Sequence, residues 1–312
     1  MKKKLLVFLA MVFSVLFLVA CGGDPDKKEG AGTGKDTLVI AQGADAKSLD
    51  PHASNDNPSS RIRIQIYDRL MDLDDNGVPQ PMLAESWERP DDKTIIFHLR
   101  KGVKFHNGDE MKASDVKFSL ERALASPEVS HILAGINGVE VLDDYTVKVT
   151  TEKPMAAILN NLSHTTIAIL SEKATTEAGD KFGQNPIGTG PYKLVENKRG
   201  EYIKFEANEN YYKGKPNVKN VVLRVIQSAD TAKVALQKGE IDASYVLPTD
   251  IKDLDTNKLD VYSYSENRIG YLGLNTKTNE LKDVKVRQAI LYALNKGDMN
   301  KAAYLDEKYY QN

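Results

Sequence analysis

Val221-Val222-Leu223-Arg224-Val225-Ile226 is followed by a stretch running from Asp230 to Lys238, by Gly239, and by Ile241-Asp242-Ala243-Ser244-Tyr245-Val246. The first run is dense in β-branched side chains and reads as a strand. Residues 230–238 read as a helix that Gly239 ends as a C-cap, and residues 241–246 as a further strand. Strand, helix and strand in that order make a β-α-β element, which sets the fold class as α/β.

Upstream, strands over 192–196 and 201–207 flank a turn at 197–200. Before them lies Asn185-Pro186-Ile187-Gly188-Thr189-Gly190-Pro191-Tyr192. Two prolines and two glycines so close together suit a rigid crossing between domains, where the glycines supply backbone freedom. Towards the N-terminus, residues 37–41 read as the first strand. Ile62, Ile66 and Leu70, four apart, predict an amphipathic helix over 60–71. Residues 94–99 alternate as a strand. Ser114 is the expected cap of a helix over 115–125 that turns Val116, Leu120, Ala123 and Leu124 inward. A strand pair surrounds Asp143-Asp144, and residues 156–170 read as weakly helical. Beyond an extended segment at 271–275, Asp283 starts a helix with Val286, Ala289, Ile290, Ala293 and Leu294 on one face.

The chain begins with Met1-Lys2-Lys3-Lys4, an uncharged run from Leu5 to Ala20, and then Cys21-Gly22-Gly23. A basic start, a short apolar core and small residues at the junction form a secretory signal over residues 1–20. The run is shorter than the roughly 20 residues a spanning helix needs. Cys21 is the single cysteine of the chain and stands where a lipoprotein signal is cut and acylated. It is the expected lipid anchor, holding the protein on the extracytoplasmic face of the cell membrane. Residues 21–36 are glycine-rich, charged and poor in large apolar side chains, hence a flexible tether.

The 312 residues carry 42 Lys and Arg against 44 Asp and Glu, a net charge of −2, with no basic stripe to neutralise a phosphate backbone. Nucleic acid is therefore excluded as a partner. The sequence contains no HExxH, P-loop, GxSxG or paired-cysteine site. His52, His98, His106, His131 and His164 never fall at the i, i+4 spacing that would set two imidazoles on one helix face. His98 reads as a strand residue and His106 as a maker of loop hydrogen bonds. Asp74-Asp75, Asp91-Asp92 and Asp143-Asp144 lie in turns, where neighbouring carboxylates are solvated. No catalytic residue, metal ligand or cofactor is expected, and the chain reads as a non-enzyme. Trp87, the single tryptophan, reads as a packing residue.

Several stretches together resemble one family. They are Leu49-Asp50-Pro51, Ile66-Tyr67-Asp68-Arg69-Leu70, Leu83-Ala84-Glu85-Ser86-Trp87-Glu88 and Phe97-His98-Leu99-Arg100-Lys101-Gly102-Val103-Lys104-Phe105-His106-Asn107-Gly108. They continue with Ala113-Ser114-Asp115-Val116-Lys117-Phe118, Asn185 to Tyr192, Leu236-Gln237-Lys238-Gly239-Glu240-Ile241-Asp242 and Val286-Arg287-Gln288-Ala289-Ile290. In this order they resemble the extracytoplasmic solute-binding proteins of bacterial ABC importers, in the oligopeptide, dipeptide and nickel-binding family. The resemblance implies a periplasmic-binding-protein-like fold of two lobes closing on a ligand, with an inserted domain. Mapped onto this chain, residues 37–62 and 186–275 form lobe I and 63–185 the inserted domain. Residues 276–312 begin a truncated lobe II, so the second lobe is expected to be largely missing.

The resemblance further implies capture of a small peptide for the membrane permease subunits of an ABC importer, by a monomer. Nickel or a nickel chelate is the alternative within the family. A structural or adhesion lipoprotein without a small ligand is the alternative outside it. By resemblance, Gly43, Ala44, Asp45 and Ala46 line the ligand's main chain. The carboxylate that meets a peptide's free amine lies in the missing lobe, so Asp45 does not inherit that role. Tyr245 and Tyr271 join the expected ligand site because both lie in extended segments near the lobe boundary, where a phenol offers apolar area and a polar tip.

Overall fold

The computed structural model describes residues 35–263 and 271–304. The signal segment, Cys21 and most of the tether lie outside the described residues, as do residues 305–312. The elements run β1 (Thr37–Gln42), α1 (Asn57–Ile66), β2 (Met71–Leu73), β3 (Pro79–Pro81), β4 (Ala84–Asp91), β5 (Thr94–Leu99) and α2 (Ala113–Ala125). Then come β6 (Ile136–Asp143), β7 (Thr146–Thr151), α3 (Ile158–Leu162), α4 (Glu172–Ala178), β8 (Tyr192–Lys198), β9 (Tyr202–Ala207) and β10 (Asn220–Val225). The helices α5 (Ala229–Gln237), α6 (Val284–Ala293) and α7 (Lys296–Tyr304) follow.

Two four-stranded sheets organise the body. One is mixed, in the order β1-β10-β9-β8; the other is antiparallel, in the order β4-β5-β7-β6. In the antiparallel sheet, Ile95, Phe97 and Leu99 of β5 and Val147 and Val149 of β7 face inward by simple alternation. They meet Val116, Leu120 and Ala123 of α2, all fully buried. Trp87 packs against this same core. A second core lies under the mixed sheet, where Ile203, Phe205, Val221 and Leu223 join Leu49, Ile62, Ile66, Tyr67, Ala168, Leu170 and Phe182.

Several expectations are corrected by long-range contacts. α1 starts earlier than residue 60, because Asp56 caps it by accepting from Ser59 N at 3.0 Å and Pro58 sits in its first turn. It stops at Ile66, short of 71. The Ile66 carbonyl, which would receive the Leu70 N–H if the helix ran on, instead accepts from Gly190 N at 2.9 Å, and Tyr67 leaves in extended geometry. α2 is not capped by Ser114: the Asp115 carboxylate reaches back to Lys112 N at 2.8 Å, so the helix opens two residues earlier, at Ala113. Of the stretch 156–170, only 158–162 is helical; Ile169 N donates to Asp68 O and Leu170 N to Ser119 Oγ, which holds 167–170 extended.

The closing strand of the β-α-β element shrinks to a single parallel bridge between Ile40 and Ala243. Here the Asp242 carboxylate takes the Val39 N–H at 2.8 Å in place of a backbone carbonyl, and the ladder goes no further. α6 forms behind its Asp283 cap, yet none of its residues is buried, and Leu294 lies just past its end. Tyr271 to Asn275 pair with no strand among the described residues.

The crossing at 185–192 is rigid for a reason different from backbone freedom. A Cβ at Gly188 would lie 2.1 Å from Ile66 O, and one at Gly190 would lie 2.5 Å from Ile66 C. Neither residue has a positive φ. Glycine is required there because two backbones touch. His106 stitches the same crossing to the antiparallel sheet's body. Its Nε2–H donates to Gly190 O at 3.0 Å, its Nδ1 receives the longer Gly188 N–H at 3.4 Å, and its own N–H donates to Gly188 O at 2.8 Å. Burial drives its pKa down to about 4, against the pull of the Gly190 carbonyl, so the ring is neutral. Nearby, the fully buried Asp68 accepts from Thr189 Oγ1 at 3.0 Å and Tyr211 Oη at 3.2 Å, while burial pushes its carboxyl up.

Candidate ligand-binding site

β1 and β10 run parallel, from Thr37 opposite Asn220 to Gln42 opposite Val225. The Ile40–Ala243 bridge is parallel as well, so β1, β10 and the segment through Ala243 all end at one edge of the mixed sheet. The carboxyl edge of parallel strands is where open α/β sheets place ligands, since the loops there diverge and leave a crevice. Four segments meet at that edge. Residues 43–46 follow β1, residues 226–228 follow β10, residues 244–247 follow the bridge, and the β8–β9 turn is tied in by Val225 N donating to Glu201 O at 2.8 Å.

The expected loop is thus brought to the edge. Gly43 and Ala44 are exposed, Asp45 and Ala46 are half-buried, and a Cβ on Gly43 would meet nothing within 4 Å. The N–H groups of residues 43–46 find no acceptor among the described residues. Tyr245, half-exposed, emerges two residues after the bridge at Ala243 on the same edge. Tyr271 is 88% exposed and belongs to no strand, so the fold does not tie it to this group.

Three side chains hold the loop. Gln42 Nε2 donates to Ala44 O at 2.9 Å and to Pro58 O at 3.4 Å. Asp45 Oδ2 accepts from Gly200 N, in the β8–β9 turn, at 2.8 Å. Ser59 Oγ, fully buried, accepts from Lys47 N at 2.8 Å and donates to Asp56 Oδ2 at 2.8 Å. Sequence reading missed Gln42 and Ser59. The Asp56-Asn57-Pro58 start of α1 is a legible cap signal that would have placed Ser59 beside the loop's end.

Behind the loop sits a buried polar hub. Arg122 of α2 grips Asp50 with both nitrogens, at 2.9 and 2.5 Å, and donates to His52 Nδ1 at 2.9 Å. Burial pushes the Asp50 carboxyl up, but the Arg122 hydrogen bond and charge outweigh it and hold the pKa below the ordinary carboxylate value. Burial, then the Arg122 charge, brings His52 down to about 3; with Nδ1 accepting, the neutral ring carries its proton on Nε2. Arg63, wholly buried, donates to Pro51 O and Ser54 O at 2.9 Å each. Tyr67 Oη closes the hub by donating to Leu49 O at 3.1 Å. Loop, hub and α2 therefore form one hydrogen-bonded support for the edge.

Among the described residues the edge presents main chain and the ring of Tyr245. Among the described residues no group of three or more His, Cys, Asp or Glu could hold a metal ion, and no helix is long and apolar enough to cross a membrane.

Comparison with known proteins gives a concordant picture. The family model described as bacterial extracellular solute-binding proteins, family 5 Middle, matches residues 78–311. The glutathione-binding protein GsiB of Pectobacterium atrosepticum is 33% identical over 274 residues, covering 85% of this chain and 53% of that protein. Among solved structures, the periplasmic binding protein DppA of Helicobacter pylori, in complex with the peptide STSA, superposes with a TM-score of 0.75 at 31% identity, covering 86% of this chain and 58% of that one. NikZ of Campylobacter jejuni, in complex with Ni(L-His), does so with a TM-score of 0.72 at 31% identity, covering 86% and 55%. The chain spans about half the length of the curated relatives it matches.

Proposed function

The chain belongs to the bacterial extracellular solute-binding proteins of family 5, and from that membership we propose that it captures a small peptide at the carboxyl edge of its mixed sheet. Proteins of this family are non-catalytic components of transport. The peptide's main chain lies along Gly43, Ala44, Asp45 and Ala46, whose free N–H groups offer the hydrogen bonds of an added strand. Tyr245 contributes apolar area with a polar tip. Tyr271 belongs to the site if the ligand reaches the segment after residue 270. The observation that carries the reading is the shared edge of β1, β10 and the Ala243 bridge, because it sets the open loop and the tyrosine side by side.

In this reading a monomer, anchored through acylated Cys21 on the extracytoplasmic face, hands its ligand to the permease subunits of an ABC importer. Residues 37–62 and 186–275 form lobe I in this reading, 63–185 the inserted domain and 276–312 the opening of lobe II, although the core under the mixed sheet also draws Ile66, Tyr67, Ala168, Leu170 and Phe182 from the stretch 63–185. Glutathione, itself a tripeptide and named for the Pectobacterium relative, belongs among the ligands to try. So does nickel with histidine, given the Campylobacter relative.

Gly43→Leu tests the site without disturbing the fold, since a side chain there enters open space. Calorimetric titration of the protein with trialanine, glutathione and nickel plus histidine should show peptide binding that Gly43→Leu weakens at least tenfold. Equal affinity in parent and variant would remove the site from this edge. Heat from nickel with histidine alone would replace the peptide by a metal chelate.

A further inference from the structure

Two cations, Arg100 and Lys101, follow β5 directly, and Gly102, with φ of +75°, turns the chain behind them. Together with Glu85 of β4, Val103 and Tyr212 they line an open cleft of about 420 Å³. The cleft lies where the antiparallel sheet meets the connection between β9 and β10. None of its lining residues belongs to the four segments at the carboxyl edge of the mixed sheet.

Arg100 is half-buried and held at two points. Its main-chain N–H donates to Leu83 O at 2.9 Å and its Nε–H to Met82 O at 2.7 Å. Those bonds fix the plane of the guanidinium, while its two terminal nitrogens find no acceptor among the described residues. Lys101 is exposed, with Nζ 5.4 Å from the centre of the Tyr145 ring. Lys213 is exposed too, with Nζ 5.8 Å from the centre of the Tyr212 ring. The neighbouring Lys112 and Lys215 have carboxylate partners, Glu110 at 3.3 Å and Glu209 at 2.7 Å. Among the described residues, no carboxylate oxygen comes within 4 Å of a nitrogen of Arg100, Lys101 or Lys213. Asp143 and Asp68 feel the charges of Lys101 and Lys213 from farther away. Glu85 lines the same cleft and pairs with neither cation. The Tyr212 Oη is buried, so Tyr212 gives the cleft a ring face and the cations give it its polarity. Three unneutralised cations around one cleft make a local positive field on a chain whose net charge is −2.

We propose that this cleft is a second ligand site, which takes a small oxyanion of the phosphate class on the fork of Arg100, with Lys101 and Lys213 as supporting charges. A guanidinium already locked through Nε presents two parallel donors to two oxygens of one anion. It has little freedom left to lose when it does so. Glu85 repels the anion, and its exposure keeps that repulsion modest. An anion seated here joins the end of β5 to the β9–β10 connection, so it stabilises the contact between the two sheets. A phosphate group reaches such a cleft from two sources, free in solution or on a lipid headgroup.

The full chain is titrated with inorganic phosphate by calorimetry, at an ionic strength held constant with sodium chloride, as parent, Arg100→Gln, Lys101→Gln and Glu85→Gln. The expected result is saturable binding in the parent, weaker by about tenfold or more in Arg100→Gln and by about threefold in Lys101→Gln, and about twofold tighter in Glu85→Gln. Lys101 and Glu85 are exposed side chains, so their variants carry the test if Arg100→Gln does not fold. The same chains are sedimented with vesicles of phosphatidylcholine, alone or with phosphatidylglycerol added. Extra capture by the anionic vesicles that falls in Arg100→Gln and Lys101→Gln assigns the phosphate to a lipid. Equal capture of all four chains, with the calorimetric order kept, assigns it to the free anion. Absence of both saturable phosphate heat and variant-dependent capture would overturn the proposal, as would one phosphate affinity shared by all four chains.

Discussion

Gly190→Ala puts the contact between the crossing and α1 to a direct test. The added Cβ would stand 2.5 Å from Ile66 C and 2.7 Å from both Gln65 O and Ile66 O, where ordinary contact begins near 3.4 Å. All three are backbone atoms at the end of a buried helix, so no flexible side chain can give way. The crossing must retreat by about 1 Å, at an overpacking cost of roughly 1–3 kcal/mol. Retreat also stretches three bonds that meet at this residue: its N–H to Ile66 O at 2.9 Å, and its carbonyl from His106 Nε2 and Asn208 Nδ2 at 3.0 Å each. With about 1 kcal/mol for each of the three buried bonds weakened, the loss comes to about 4–6 kcal/mol. A domain of this size shifts its melting point by about 2–4 °C per kcal/mol, which predicts a fall of about 8–24 °C. Urea unfolding followed by the fluorescence of Trp87, with calorimetric melting alongside, measures both quantities. Gly43→Ala is the control, since its Cβ would meet nothing within 4 Å, and it should lose no stability. If Gly190→Ala unfolds within about 1 kcal/mol of that control, the two backbones are not in contact and the account of why α1 ends at Ile66 fails.

The histidines predict acid sensitivity in a defined window. His106 titrates near 6.5 when unfolded and at about 4 when folded, because burial disfavours its charged form. Between those values the unfolded chain takes up a proton that the folded chain refuses, so this contribution is present above pH 6.5 and is lost as pH falls towards 4, to a total of about 3 kcal/mol. His52, brought to about 3, acts in the same sense, while Asp68 and Asp115, pushed up by burial, oppose it as pH falls towards their unfolded value of 3.8. Urea titrations should give about 1–2 kcal/mol less stability at pH 5.0 than at 7.5, with a shallower dependence in His106→Gln; identical pH profiles for parent and variant would refute the assignment to His106. For the anchor, Cys21→Ala expressed in a bacterial host should move the protein from the membrane to the soluble fraction, and equal membrane retention of variant and parent would dismiss the lipid.

The parts of the fold legible in the sequence are those that local chemistry decides. Composition over 94–99 marked a strand, and the spacing of Val116, Leu120, Ala123 and Leu124 gave α2 its inward face, of which the first three are buried and Leu124 partly so, because period needs no knowledge of the partner. Illegible features depend on atoms far along the chain. The pattern of Ile62, Ile66 and Leu70 continues past the point where the helix stops, since what stops it is the N–H of Gly190. The run at 241–246 has a strand's composition, yet the Asp242 side chain takes the ladder position that a strand would need. The Phe97–Gly108 and Asn185–Tyr192 stretches were read as separate marks of one family; in the structure His106 of the first holds Gly188 and Gly190 of the second.

The candidate site shows the same division with a consequence for specificity. Its loop was legible through resemblance, but Asp45, Arg63, Asp68 and His106 all turn out to spend polar atoms on the protein's own backbone or hydroxyl groups. Each of those bonds spans at least nine residues, and most join one core to another or one loop to a distant turn. Side chains committed in this way cannot also be free to select a ligand, because a buried donor or acceptor that left its partner would forfeit about 1–3 kcal/mol. Asp68 and His106, which lie in stretches that mark the family, therefore serve assembly of the crossing. Under the proposed function, choice among ligands falls to groups with no such commitment, of which this edge offers the open backbone of residues 43–46 and the half-exposed ring of Tyr245.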